Sequence, residues 1–426
     1  MSPSAATKPR QEVRLSIALG ATRLITVGAQ FLLVHIIGSS CSLGELAIFL
    51  ALLGLSPWFL LADLGMGQPL QNAVATRQAQ GEAATPVIAQ AWLRGWLSLR
   101  WGGLALLVIG APLAYGTFSA IQPAEIVLPS FLVMGSAMMA LAVFGLGLRA
   151  LAGLGCFLRA GGISAVSSLA GLATAALVAW MGWPLWAILL AWYGPGLVLQ
   201  GLSFRHLAGV GPVATPQVPS AIDWRYLAFN LAGTVTLSLD YLMLARAGQT
   251  EDLVIYGFLQ RCLAVGIILQ GTFIVPMQTK VAFLQGADRR TEIPSVVMRP
   301  LWLGAVMMLG LALVLILGGA EISRIVTGHT LVIPVSCLVL GSAYGAMRIW
   351  ADTWVGACLA LGRVAPLTVM VVVQGTLSVL LWLWIIPHYG ASGVFAGHLI
   401  AFLVTIAWFA PLHIRRVART KLPSAS

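Results

Sequence analysis

Charge is what this chain lacks most. Asp, Glu, Lys and Arg make up only 9% of its 426 residues, against roughly 25% in soluble domains. With 59% hydrophobic residues, a soluble protein could not cover its surface with polar groups. A bilayer is the solvent that fits, and there a spanning helix needs about 20 mostly apolar residues. Cysteine is scarce as well. Cys41, Cys156, Cys262, Cys337 and Cys358 are odd in number, scattered and without C-x-x-C spacing, which argues against a disulfide framework and a thiolate metal site. Enzyme signatures are missing: no P-loop, no H-E-x-x-H, no G-x-G-x-x-G after a strand, no Ser-His-Asp context. Lys8, Arg10 and Arg14 precede a long apolar run with no small-residue cleavage site. That pattern reads as an uncleaved first span rather than a signal peptide.

What is present is a series of apolar runs, near 15–37, 45–64, 97–118, 125–147, 160–181, 184–204, 224–246, 253–275, 300–319, 331–350, 364–386 and 392–412. The fold class expected is all-α and integral to the membrane, with twelve transmembrane helices. With the N-terminus in the cytoplasm, twenty of the 24 Lys and Arg fall on the cytoplasmic side. Arg246 and Arg324 fall outside, and Arg23 and Arg261 lie within spans. This follows the positive-inside rule and puts both termini in the cytoplasm. It also explains the net charge of +11 by position, so no nucleic-acid partner is expected. The long loops, 65–95, 205–223 and 276–299, are cytoplasmic, and the external ones are too short to hold a soluble domain.

Sliding the sequence by 210 residues sets Gly38 against Gly248 and Leu43 against Leu253. Each pair lies in the turn between the first two spans of a half. Six spans per half is an even number, so the halves enter from the same side, as parallel repeats about an axis along the membrane normal. The organisation expected is a first lobe over 1–204, a proline-rich cytoplasmic linker over 205–223, a second lobe over 224–412 and a basic tail over 413–426.

Ionisable residues inside a membrane cost about 2.5–3.5 kcal/mol on insertion scales and mark a path or a binding site by default. Arg23 sits about 12 Å into the first span at 1.5 Å per residue; it reads as an arginine snorkelling to the interface or as a cavity cation for an anionic substrate. Thr26 and Gln30 share its face. Asp240 and Arg261, on spans 7 and 8, match in depth to about one turn. They read either as a salt bridge or as a transport pair in which Asp240 tunes Arg261 or takes a coupling cation. Gly233, Thr236 and Asp240 form a small polar stripe, which could equally pack helices; Asn230 is added to the cavity's polar set. Asp63 ends span 2 ahead of Gly65 and Gly67, as a helix-end residue or a gate. His35 and His398 read first as packed, hydrogen-bonded histidines and second as proton carriers. Pro57 is expected to kink span 2.

Several stretches, in order, resemble the polysaccharide-transporter branch of the MOP superfamily, the Wzx-type lipid-linked oligosaccharide flippases. They are "HIIGSSCSLGELAIFLALLGL", "LADLGMGQPLQN", "LDYLMLARAGQTEDLVIYGFLQR", "ALGRVAPLTVM" and "PHYGASGVFAGHLIAF". Asp240 stands at the branch's frequent Asp and Tyr256 at its Tyr position; Gly44-Glu45-Leu46 departs from the usual aromatic-Gly step. The resemblance implies a MOP/MATE-like fold of two six-helix lobes around a cavity, alternating access, and a cationic site for a polyprenyl diphosphate, with Arg23 and Arg261 on the implied helices. The substrate implied is an undecaprenyl-diphosphate-linked oligosaccharide moved to the periplasmic leaflet of a bacterial inner membrane, for O-antigen, capsule or exopolysaccharide synthesis. Membrane lipids and the polysaccharide polymerase machinery are the implied partners. No cofactor or metal is expected, and coupling to H+ or Na+ is left open. A MATE-type cation or drug antiporter on the same fold is the alternative; two intramembrane Arg against one Asp favour the anionic substrate.

Overall fold

The computed structural model describes residues 9–67, 70–71, 73–74, 77, 82–209, 224–247, 249–286, 289–361 and 364–419. Among them the chain is helical throughout, with no strand. We number the helices α1 (Pro9–Ser40), α2 (Leu43–Gly54, continued by Ser56–Leu60), α3 (Thr85–Phe118), α4 (Ala124–Gly153), α5 (Phe157–Trp180) and α6 (Leu185–Ala208). Then come α7 (Trp224–Arg246), α8 (Thr250–Gly286), α9 (Ile293–Thr327) and α10 (Val335–Ala360). The last long helix, Val364–Val404, carries a non-helical Gly390 (φ 50°, ψ −130°). It is therefore two helices, α11 (364–389) and α12 (391–404, continued by Ile406–Arg419).

Nine of the described helices are long and apolar enough to cross a bilayer, and the bent pair at α2 makes ten. Reading α10 as a further span and dividing the last run at Gly390 gives the twelve expected. Large apolar side chains face outward: Trp101 is 71% exposed, Leu317 78% and Trp384 72%. Water does not tolerate such a surface, whereas lipid requires it.

Sequence chemistry sets the ends. Ser42 and Glu45 form a capping box at the start of α2: the Glu45 carboxylate accepts from the Ser42 amide at 2.9 Å and Ser42 Oγ accepts from the Glu45 amide at 3.3 Å. Gly328 closes α9 in the left-handed region. The helix of span 2 breaks just before Ser56-Pro57 with a 45° bend, since a proline has no amide to donate to the carbonyl four residues back and its ring crowds that carbonyl.

Two expectations about loops need correction. The 276–299 segment is mostly helix, because α8 runs to Gly286 and a short turn of helix at Arg290–Glu292 leads into α9. Likewise α3 starts at Thr85, inside the 65–95 loop. Hydropathy finds where a helix leaves the hydrocarbon, not where it ends. The 35 residues of α9 rise about 1.5 Å each, well beyond a hydrocarbon core of about 30 Å. Linker residues 210–223, Gly248 and tail residues 420–426 lie outside the described residues.

The described chain divides into two compact units. The first holds α1–α6, apart from residues 53–55 of α2, which count with the second; the second holds α7–α12. Helix pairs in one unit recur in the other. Span 1 packs on span 5 and span 7 on span 11; span 2 on 4 and span 8 on 10; span 4 on 6 and span 10 on 12. The core of the first unit gathers Val74, Val87, Val143, Leu146 and Phe204, with Trp92 edge-on to Phe204 at 4.9 Å. That of the second gathers Tyr256, Tyr344, Trp382 and Phe395, all fully or nearly fully buried.

Candidate functional site

In the first unit the polar residues stay apart. Arg23 is exposed on α1, with Thr26 and Gln30 half-buried on the same helix. The Thr26 hydroxyl is spent on its own backbone, donating to the Thr22 carbonyl at 3.1 Å. Asp63 has a turn to hold. Leu64 and Gly65 both adopt left-handed backbone (φ 52° and 70°), and Asp63 Oδ1 accepts from the Gly65 amide at 2.8 Å. A side chain at Gly67 would meet both Asp63 Oδ2 and Arg149 Nε, at 3.3 and 3.7 Å, so the guanidinium of α4 stands beside this carboxylate. The D-L-G stretch is thus a helix stop built around Asp63.

The second unit holds two polar clusters joined by a ring stack. Asp240 is 1% exposed and His398 is fully buried, on α7 and α12. Asp240 Oδ1 accepts from the Tyr241 amide at 2.7 Å. Oδ2 accepts from the Tyr256 hydroxyl of α8 and lies 3.2 Å from His398 Nε2. Gln260 Nε2, half-buried one turn along α8, donates to the Tyr256 hydroxyl at 2.6 Å. His398 is stacked on Tyr344 of α10 at 4.8 Å and meets the edge of Trp382 of α11 at 4.7 Å. Tyr344 in turn accepts from Arg348 Nη1 at 3.4 Å, and Arg348 Nε reaches both oxygens of Asp352 at 3.0 Å.

The expected alternative of an Asp240–Arg261 salt bridge is corrected by this geometry. Among the described residues Asp240 pairs with His398 and Arg261 with no carboxylate. Arg261 lies five residues beyond Tyr256, about 140° further round the helix, so the face of α8 that meets Asp240 carries Tyr256 instead. Arg261 is close enough to Tyr241 to act on its hydroxyl electrostatically. It is half-buried, and its Nε is buried without a hydrogen-bond partner among the described residues. Thr236 packs against α11. It is 2% exposed, donates to the Ala232 carbonyl at 2.8 Å, and its hydroxyl lies where a side chain on Gly375 of α11 would stand. Asn230 is exposed on α7.

Sequence reasoning missed the Arg348–Asp352 pair. It ended span 10 at residue 350 and so placed Arg348 at the cytoplasmic edge, whereas α10 continues to Ala360. The i, i+4 spacing of opposite charges in one apolar run was the available signal. The partnership of Asp240 with His398 spans 158 positions, and no local pattern announces it. His398 is packed and hydrogen-bonded as its first reading held.

No known family profile matches the chain. An O-antigen export protein of Yersinia pseudotuberculosis is 23% identical over 192 residues, 45% of this chain and 44% of that protein; the chain thus matches less than half the length of that relative. An O-antigen transporter of Salmonella typhi is 21% identical over 414 residues, 92% of this chain and 93% of that protein. Among solved structures, an inward-facing multidrug resistance MATE family transporter of the MOP superfamily superposes with a TM-score of 0.75 at 12% identity, over 96% of this chain and 100% of that one. A MOP superfamily transporter from Pyrococcus furiosus, described as having a binding pocket of reversed polarity, gives 0.64 at 15% identity, over 96% of each chain. The chain shares the fold of these transporters, and the two relatives named above are O-antigen transport proteins.

Proposed function

We propose that this chain is a flippase that carries a polyprenyl-diphosphate-linked oligosaccharide from the cytoplasmic to the periplasmic leaflet by alternating access, in the synthesis of a surface polysaccharide. The observation that carries the reading is the near full-length likeness to an O-antigen transporter on a fold built for transport. The chemistry agrees with it. Arg261 offers a buried guanidinium nitrogen, Nε, that no group among the described residues accepts from, and a guanidinium suits a diphosphate because its planar fork binds oxygens two at a time. Within this reading the carrier is undecaprenyl diphosphate, the membrane is the bacterial inner membrane, and polysaccharide polymerase machinery receives the product. Deleting the gene in its host should leave lipid-linked oligosaccharide facing the cytoplasm and remove surface glycan, with both restored by a plasmid copy. Unchanged surface glycan combined with increased sensitivity to cationic drugs would replace the reading with a MATE-type cation antiporter.

A further inference from the structure

We propose that Arg348 and Asp352 form a hydroxyl-recognition site, an ion pair that holds the neutral sugar portion of the cargo apart from its charged diphosphate. The identity of the cargo rests on the flippase reading above; the placement of the pair does not.

The pair sits in the middle of α10. Arg348 is about 20 Å from Val335 and about 18 Å from Ala360 at 1.5 Å per residue. The face of α10 that meets lipid is marked by Val339, Ala343 and Ala346, all exposed. Arg348 and Asp352 stand about half a turn away from it at 3.6 residues per turn. Their own face looks between two neighbouring helices. On one side Gln270 of α8 donates to the Ile349 carbonyl at 3.1 Å and to Thr353 Oγ1 at 2.6 Å. On the other, Tyr344 stacks on His398 of α12. Yet the two side chains remain 20% and 29% open. An opening at this depth, on the face turned away from lipid, is a water-filled recess, where intramembrane charges mark a substrate path by default.

Stability is a weak reason for such a pair, since apolar residues of similar volume often serve a buried site as well. Its charge points to a class of ligand. Arg348 and Asp352 neutralise each other at 3.0 Å, so neither a diphosphate nor an organic cation gains much from them. Hydrogen-bonding capacity remains. A guanidinium has five N–H donors; here Nε reaches both Asp352 oxygens and Nη1 donates to the Tyr344 hydroxyl. The carboxylate takes both contacts from that single nitrogen, although its oxygens together accept about four hydrogen bonds. Donors and acceptors thus stand side by side with capacity to spare. A hydroxyl both donates and accepts, and neighbouring hydroxyls of a sugar ring can do so against the two partners at once. A neutral polyol is the ligand that fits. Arg261, by contrast, has no carboxylate partner among the described residues, so the two ends of the cargo have separate partners.

Native mass spectrometry of the purified full chain tests this with two lipids: undecaprenyl diphosphate, and the undecaprenyl-diphosphate-linked oligosaccharide extracted from the gene-deleted host. The readout is the ratio of their affinities. Wild type should bind the sugar-bearing lipid about tenfold more tightly or better, the worth of hydrogen bonds to charged groups. The double variant Arg348→Met/Asp352→Leu removes both charges together, so it strands neither, and should bring the ratio close to one. Arg261→Ala should instead weaken both lipids and leave the ratio standing. If Arg348→Met/Asp352→Leu does not accumulate, the exchanged pair Arg348→Asp/Asp352→Arg keeps an i, i+4 ion pair but moves each charge by one turn, and must lower the ratio as well. A wild-type ratio of one, or the wild-type ratio in either double variant, would make the pair a helix-stabilising contact and overturn the proposal. Failure of both lipids to bind wild type is a different result. It overturns the flippase reading itself, and the sugar assignment falls with it.

Discussion

Arg261 and Arg23 are the two basic residues that the sequence places inside spans, and their surroundings separate them. The Arg23 side chain is exposed on α1, the setting in which a long cation reaches an interface and keeps its head solvated. Arg261 is half-buried, its Nε has no acceptor among the described residues, and Asp240, the carboxylate that matched its depth, is already taken by Tyr256 and His398. A cation kept this way is open to an anion from elsewhere, and the proposed diphosphate would supply one. Truncating one member of a buried hydrogen-bonded charge pair costs about 2–5 kcal/mol, which is at least tenfold in affinity. Arg261→Ala should therefore lower glycan export at least tenfold at equal protein level. Arg261→Lys, which keeps the charge but loses the fork, should retain an intermediate rate. The measurement is surface glycan per cell, with the chain quantified in membranes. Full export by Arg261→Ala would remove this residue from substrate binding.

At the scale of elements, the break between α11 and α12 is legible in the sequence, between the runs 364–386 and 392–412, but its shape is not. The stretch between them reads "PHYGASG", and proline alone marks a bend without saying how sharp. In the structure Gly390 takes φ 50° and ψ −130°, a region glycine enters at no steric cost and other residues rarely enter. A side chain there would run into the Asp252 carboxylate at the start of α8, whose Oδ1 accepts from the Ala391 amide at 3.1 Å. Gly390→Ala should thus destabilise the protein by about 1–3 kcal/mol, and Asp252→Ala by about 1–3 kcal/mol through the orphaned amide. Thermal unfolding in detergent, read for both singles and the double, checks it. The double should be less than additive, since both changes strike one contact. The same contrast explains what sequence could and could not show. Span number and polar positions follow from composition along the chain. The His398 partner of Asp240, and the Asp252 that Gly390 accommodates, lie well over a hundred positions away, and neither helical period nor charge counting reaches that far.

For the whole molecule, orientation rests on the distribution of Lys and Arg, and the native cysteines can test it without substitution. Cys41 lies in the turn between α1 and α2 and Cys156 in the turn between α4 and α5. Twelve spans with a cytoplasmic N-terminus put the first outside and the second inside. The two thiols also differ in reactivity. Burial, with a smaller contribution from Glu45, pushes the Cys41 thiol up to about 12, so near neutral pH it stays protonated and is a poor nucleophile. Cys156 is exposed, and Cys262, Cys337 and Cys358 are buried. A membrane-impermeant maleimide should therefore leave the chain unlabelled in intact spheroplasts at neutral pH and add one label once the membrane is opened. Cys156→Ser should abolish that label, and raising the pH toward 9 should not bring Cys41 into play. Labelling of Cys156 from outside would invert the topology, and with it the sidedness of the proposed export. The positive-inside distribution would then need another explanation, because twenty basic residues would face the compartment that such charges avoid.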